Sequence, residues 1–497
     1  MRRRLVPGFV GVAVSILLFT SQAGASGGGG LTPRQRMETF YRQRQLQLVA
    51  RALAGRTALP RPIREIAAPT AWQTVKGVRQ ISSQTIPPQQ GSQPDTQVEP
   101  DIAMDPNNSQ IVTAVFQQGR YADGGSVDPG YATSHNGGKT WTRGDLPGLT
   151  VAVGGPYDRA SDPAVAFGPD GAVYATTLPF DVGCDNGVAV QRSDDGGLTF
   201  NDPVFAQQDG CSAFDDKNWI AVDSFPGSPH VGRIYLAWDR FTCGSPIVMR
   251  YSDDRGQTWS PLKNVSGNCT SGVGVIPLVQ PNGDLTMIYE SFDSGDDIVA
   301  QTSHDGGATF RPKVKINSFE GTSPPDMRTG GLPTAAVDPV TGTMYAAWQD
   351  ARFRSDGTND IVLSSSTDGG ATWSALAIVN QDPGNDGLDH LTPDVAAFAE
   401  DVHVTYRTRQ KSGPSYSQKV GEAYIHSEDG GATWAGELIL GPAADLRWAA
   451  QAGSAFLGDY MGVAASATAV HAVWCRSSRP PEPETYHQTT WSGTILP

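Results

Sequence analysis

SDDGGLTF (193–200) is a turn by composition, and five other stretches repeat it: SHNGGKTW (134–141), SDDRGQTW (252–259), SHDGGATF (303–310), STDGGATW (366–373) and SEDGGATW (427–434). They begin 59, 59, 51, 63 and 61 residues apart. Each fits Ser-x-Asp-x-Gly-x-Thr-(Trp/Phe), with Asn136 replacing the Asp in the first copy. The Asp or Asn side chain accepts hydrogen bonds from nearby backbone N–H groups, and Gly supplies positive φ. Thr then re-enters a strand, and the Trp or Phe plugs an apolar slot. About 60 residues accommodate a four-stranded antiparallel sheet with its connections, so repetition at that period predicts a β-propeller.

Each box is preceded by two apolar strands. The first of each pair is EPDIAMD (99–105), SDPAVAFG (161–168), DKNWIAVD (216–223), GVIPLVQ (274–280), GLPTAAVD (331–338) and TPDVAAFA (392–399); a seventh, GDYMGVAA (458–465), has no box after it. Seven pairs predict seven blades, with six as the alternative. The last blade runs out of chain after ETYHQTTW (484–491), and VKGVRQI (75–81) could close the ring as its outer strand. Composition agrees with an all-β fold: 57 Gly, 36 Pro and only 18% charged residues.

The N-terminus reads differently. Arg2, Arg3 and Arg4, an apolar run over 5–20 and Ala23-Gly24-Ala25 have the layout of a secretory signal peptide over residues 1–25. No second apolar run reaches spanning length, so the mature chain is expected to be secreted and monomeric. Residues 26–70 form a basic arm, helical from Thr32 to about Leu53, with Phe40, Leu46, Leu48 and Val49 as a loose apolar face. Residues 1–70 carry a balance of +9 within a chain of net charge −14. Such an arm reads as a solvated pro-segment or linker. The acidic body, residues 71–497, excludes nucleic acid as a partner, because phosphate binding needs concentrated positive charge.

The octapeptides resemble the Asp-box, or bacterial neuraminidase, repeat. From about residue 95 to its end the chain is similar to secreted proteins of the sialidase-like superfamily. The resemblance implies that the boxes lie on the rim, away from the active site. In a propeller, the ends of the second strands and the loops leading to the next blade share one face. Cys184–Cys211 and Cys243–Cys269 hold matching positions there one blade apart and are expected to be disulfides, leaving Cys475 as a buried free thiol.

The same face gathers carboxylates and guanidiniums, which suits an anionic glycan or glycoconjugate. A sialidase-type glycosidase needs a tyrosine nucleophile with a glutamate partner, an aspartic acid/base and three arginines on the substrate carboxylate. By position the resemblance implies Tyr460 and Glu290 for the first two roles, Asp101 or Asp162 for the acid, and Arg328, Arg352 and Arg407 for the clamp. Glu99-Pro100-Asp101-Ile102 stands where the family carries Arg-Ile-Pro, so one clamp arginine has no counterpart. The readings open at this point are a glycoside hydrolase, with exo-α-sialidase as the nearest label, a non-catalytic carbohydrate- or protein-binding propeller, and a polysaccharide lyase. No cofactor is required. No His pair has metal-ligand spacing, although Asp356, Asn359 and Asp360 in FRSDGTND (353–360) could hold Ca²⁺ through oxygens.

Overall fold

The computed structural model describes residues 31–62 and 71–497; the signal peptide read over 1–25 lies outside them. Among the described residues the strands include seven four-stranded antiparallel groups, here called sheets 1 to 7; sheets 1 and 2 are joined through Ser126 and Ala160, sheet 6 carries two further short strands, and a separate three-stranded sheet pairs Met327–Arg328 in parallel with Ala455–Phe456. Their first strands are Gln97–Asp105, Arg159–Phe167, Phe214–Val222, Gly272–Val279, Thr334–Val337, Leu388–Phe398 and Gly462–Ala465. In sheets 1 to 6 the third strand ends on the serine of a box: Ser126–Ser134, Asn186–Ser193, Ile247–Ser252, Asp297–Ser303, Asp360–Ser366 and Lys419–Ser427. Each box is therefore the hairpin into a fourth strand. In sheet 7 the third strand, Gln488–Leu496, pairs instead with Thr74–Gln80 from the other end of the chain.

The box geometry recurs almost atom for atom. In the second copy Gly197 N–H donates to Ser193 Oγ at 2.8 Å, and Ser193 Oγ–H donates to Asp195 Oδ1 at 2.7 Å. Thr199 closes the turn, its N–H on Oδ1 at 2.9 Å and its hydroxyl on Oδ2 at 2.6 Å. Asn136 keeps the backbone bond, accepting Thr140 N–H at 2.9 Å. Its amide Nδ2 donates to the Thr140 hydroxyl at 2.7 Å, reversing that one bond.

The box aromatics pack in the seams between sheets. Phe200 sits between sheets 1 and 2, Trp259 between 2 and 3, Phe310 between 3 and 4, Trp373 between 4 and 5, and Trp434 between 5 and 6. Trp141 lies in a cluster that joins Val473 of sheet 7 to Ile102 and Val112 of sheet 1. Sheet 7 has no box. Its seam with sheet 6 takes Trp72, which precedes the N-terminal strand, donates to Asp401 at 3.0 Å and packs edge-on against His403.

Disulfides join Cys184 to Cys211 and Cys243 to Cys269, and Cys475 is buried and free. No helix among the described residues is long and apolar enough to cross a membrane. The two disulfides fit an oxidising, extracellular setting. The helix Pro33–Leu53 starts at Thr32, whose side chain accepts Gln35 N–H while Gln35 reaches back, a reciprocal cap. It is not a solvated arm. Leu48 is fully buried and packs with the core between sheets 4 and 5, while Leu46, placed on the apolar face by sequence, is 64% exposed. The residue that turns inward instead is Arg44, at 6% exposure.

Candidate active site

Five first strands share one irregularity. Two residues of the first strand oppose one of the second at Glu99-Pro100, Asp162-Pro163, Lys217-Asn218, Gly274-Val275 and Thr392-Pro393. The first residue of each bulge has positive φ: 53° at Glu99, 47° at Asp162, 51° at Lys217, 68° at Gly274 and 48° at Thr392. Glycine takes that conformation freely. For a side-chain-bearing residue it costs on the order of 1–3 kcal/mol, and such strain collects at functional sites. Three of the five carry charge, and their side chains converge.

Lys217 Nζ lies 3.3 Å from Glu99, 3.8 Å from Asp162 and 3.1 Å from Asp459, which precedes the first strand of sheet 7. Arg328 completes the group with a 2.6 Å bond to Asp459. Burial works against the Lys217 ammonium, but Asp162, Glu99, Asp459 and Asp216 outweigh it and hold its pKa well above the ordinary value. Burial likewise opposes ionisation of Asp459, and Arg328 and Lys217 overcome it, keeping that carboxyl far below the usual range. Glu99 moves the other way, raised by burial in spite of Lys217.

Beside this group, Asp216 and Asp239 are direct cross-strand partners in sheet 3. Burial and then the charge of Asp162 push Asp216 up to about 7, with Lys217 acting in the opposite direction. Burial and Asp216 hold Asp239 well above the usual range. Like carboxyls this close resist simultaneous ionisation, so the pair holds a proton near neutral pH. Tyr41 of the helix donates to Asp239 at 3.4 Å. A cavity of about 510 Å³ lies here, lined by Glu99, Arg120, Asp162, Asp216, Lys217, Arg328 and Asp459 and roofed by the helix through Tyr41 and Gln45.

Of the residues selected from sequence, Asp162 and Arg328 line this cavity. Tyr460 does not line it: its hydroxyl donates to the Pro163 carbonyl at 3.0 Å, and its ring packs edge-on against Trp219 with Lys217 Nζ 5.6 Å from its centre. Glu290 pairs with Arg44, so the tyrosine and its intended partner engage different groups. Asp101 accepts Val165 N–H at 2.8 Å and ties sheet 1 to sheet 2; burial pushes it up to about 8. Arg352 is held by Asp350 and by Asn317 at 2.8 Å. Arg407 is fully buried on the carbonyls of Gly458 and Leu457. The structure does not gather the three arginines into one clamp.

The Ca²⁺ candidates also face different partners. Asp356 takes the N–H groups of Thr358 and Gly387, Asn359 takes that of Thr322, and Asp360 takes Arg354 at 2.7 Å. Asp360, Asp382 and His390 bring ligand atoms within 4.8 Å of one another, but the buried Arg354 guanidinium already pairs with both aspartates.

Sequence reasoning assigned no role to Lys217, Asp216 or Asp459, and it read Glu99 only as the start of a first strand and of the stretch that stands where the family carries Arg-Ile-Pro. The bulge is what aims Glu99 inward. Arg44 escaped altogether, because a buried charge defeats an apolar-face reading; the one available signal was a basic arm on an acidic body.

The BNR/Asp-box repeat family model matches residues 250–261, around the third box. That match agrees with the six turns of one geometry that the four-stranded antiparallel sheets carry. The chain is similar to the leech intramolecular trans-sialidase, at 13% identity over 65% of this chain and 67% of that one, TM-score 0.44. It is also similar to an α-L-arabinofuranosidase from Fusarium graminearum (10%, 85% and 98%, TM-score 0.45) and to the phage phi92 endosialidase (9%, 84% and 68%, TM-score 0.48). Likeness at these values carries no activity across. A comparison with curated protein sequences finds no match.

Proposed function

We propose that the seven sheets are the blades of a closed, secreted seven-bladed propeller that acts on a glycan at the mouth described above. Closure is supported by the run of seam clusters, the last joining sheets 7 and 1, and by the pairing of Thr74–Gln80 with Gln488–Leu496. The observation that carries the functional reading is the convergence of three strained, charged bulge residues, Glu99, Asp162 and Lys217, on one cavity. Arg328, still 24% exposed, is the guanidinium available to a substrate carboxylate. Asp216, poised near neutrality, has the proton that a departing glycosidic oxygen requires.

The test is turnover of fluorogenic sialosides and uncharged glycosides, run beside a glycan array. Turnover that Asp216→Asn removes, with binding retained, supports hydrolysis. A second reading, binding without turnover, is favoured by Tyr460 and Glu290 being engaged with separate partners. Array binding that Arg328→Ala removes, with no glycoside turned over, selects it. A chain that neither binds nor cleaves any glycan refutes both.

A further inference from the structure

Arg44 does more than anchor a helix. Its guanidinium hydrogen-bonds Glu290, lies 3.0 Å from Asp296, and has the rings of Phe319 and Phe292 at 4.7 and 5.2 Å from its central carbon. Two carboxylates and two aromatic faces around one planar cation form a cage suited to a guanidinium. Glu290 is fully buried and Phe319 is 1% exposed. Both belong to the sheets or to the segments that join them, so the walls of the cage are built by the body of the protein; the helix supplies the occupant and, at Asp296, two further partners, Arg51 and Gln47.

That occupant fits imperfectly. Glu290 Oε2 and Arg44 Nε are buried without a hydrogen-bond partner among the described residues. Arg44 thus engages Glu290 through one oxygen, whereas an untethered guanidinium could take both oxygens in parallel, the stronger arrangement. The charge balance points the same way. The helix carries five arginines and one glutamate, and the surface beneath it presents Glu99, Asp162, Asp216, Asp239, Glu290, Asp296 and Asp459 against Lys217, Arg120 and Arg328.

We propose that the Glu290–Asp296–Phe292–Phe319 cage is a binding site for an arginine side chain of a partner segment, and that helix Pro33–Leu53 fills it as an intramolecular stand-in. Because Tyr41 and Gln45 of the same helix roof the neighbouring cavity, displacing Arg44 uncovers that cavity. A ligand that binds only the helix-released form shifts the population towards it. The site therefore couples recognition of a cationic partner to exposure of the mouth, and it holds whether or not the mouth acts on glycans.

The test uses the full chain, with N-acetylarginine amide as the probe and its uncharged citrulline counterpart as the control. Arg44→Ala should bind one equivalent of the arginine probe about tenfold more tightly than wild type and discriminate against citrulline. Adding Glu290→Gln should abolish that gain. In the wild-type chain, saturating arginine probe should speed hydrogen exchange of the amides of residues 44–53 by about tenfold, leaving the strand Leu285–Ser291 unchanged. Should Arg44→Ala fail to fold, Arg44→Lys and the wild-type exchange measurement carry the test. Equal affinity in wild type and the Arg44 variant, equal binding of the citrulline compound, or no change in helix exchange overturns the proposal.

Discussion

Asp101 shows what a single buried carboxyl does to this protein. Burial raises it to about 8, against about 4 in an unfolded chain. The folded state therefore keeps a proton that the unfolded state loses between those values. The associated stability is complete below about pH 4 and is lost as pH rises through 8. Asp101→Asn keeps an acceptor for Val165 N–H but cannot ionise. Measured by urea unfolding, the stability difference between variant and wild type should shift in the variant's favour from pH 5 to pH 8; a flat difference would contradict the assignment. Tyr460 makes a second residue-scale test. If its phenol were a nucleophile, Tyr460→Phe would remove any turnover while leaving binding intact. With that hydroxyl already donated to Pro163, we expect Tyr460→Phe to retain most activity and Asp216→Asn to lose it, in the same fluorogenic assay.

Seams and staples belong to the next scale. Trp434 is 1% exposed in the seam between sheets 5 and 6, and Trp72 is 3% exposed in the seam between 6 and 7, where no box supplies an aromatic. If Trp72 does the work of a box residue, Trp72→Ala and Trp434→Ala should each cost about 3–5 kcal/mol, by denaturant midpoint at constant slope. A Trp72→Ala cost below about 1 kcal/mol would make the N-terminal tryptophan incidental. The disulfide Cys184–Cys211 encloses a separation of 27 residues, worth about 3 kcal/mol in the chain-entropy view. Replacing both cysteines by serine should lower stability by that order.

For the molecule as a whole, the decisive contact is between its ends. Deleting residues 26–62 removes the helix and its buried Leu48 but leaves Trp72 and the strand Thr74–Gln80. Extending the deletion through Gln80 removes the outer strand of sheet 7 and its seam tryptophan together. Calorimetry should show one cooperative transition, lowered by a few degrees, for the first deletion, and loss of cooperativity for the second. Equal melting of the two would refute closure through the N-terminal strand.

The repeat and its consequences were legible in the chain itself. An Asp, two residues after a Ser, with a Gly and a Thr at fixed offsets, satisfies its own hydrogen bonds within eight residues, so the turn forms wherever those eight occur. Spacing then sets the strand count, and the cysteines lie where loops of one face must meet. The site was not legible in that way. Glu99, Asp162 and Lys217 stand in strands where alternation would predict ordinary positions, and a bulge with positive φ turns each towards a common centre. Arg44 is a charge in a helix read as solvated, and it is buried because Glu290 and Asp296, about 250 residues away in sequence, stand where it enters. Local chemistry writes the turns and strands. Which charges meet depends on contacts between distant segments, and only the tertiary structure brings those together.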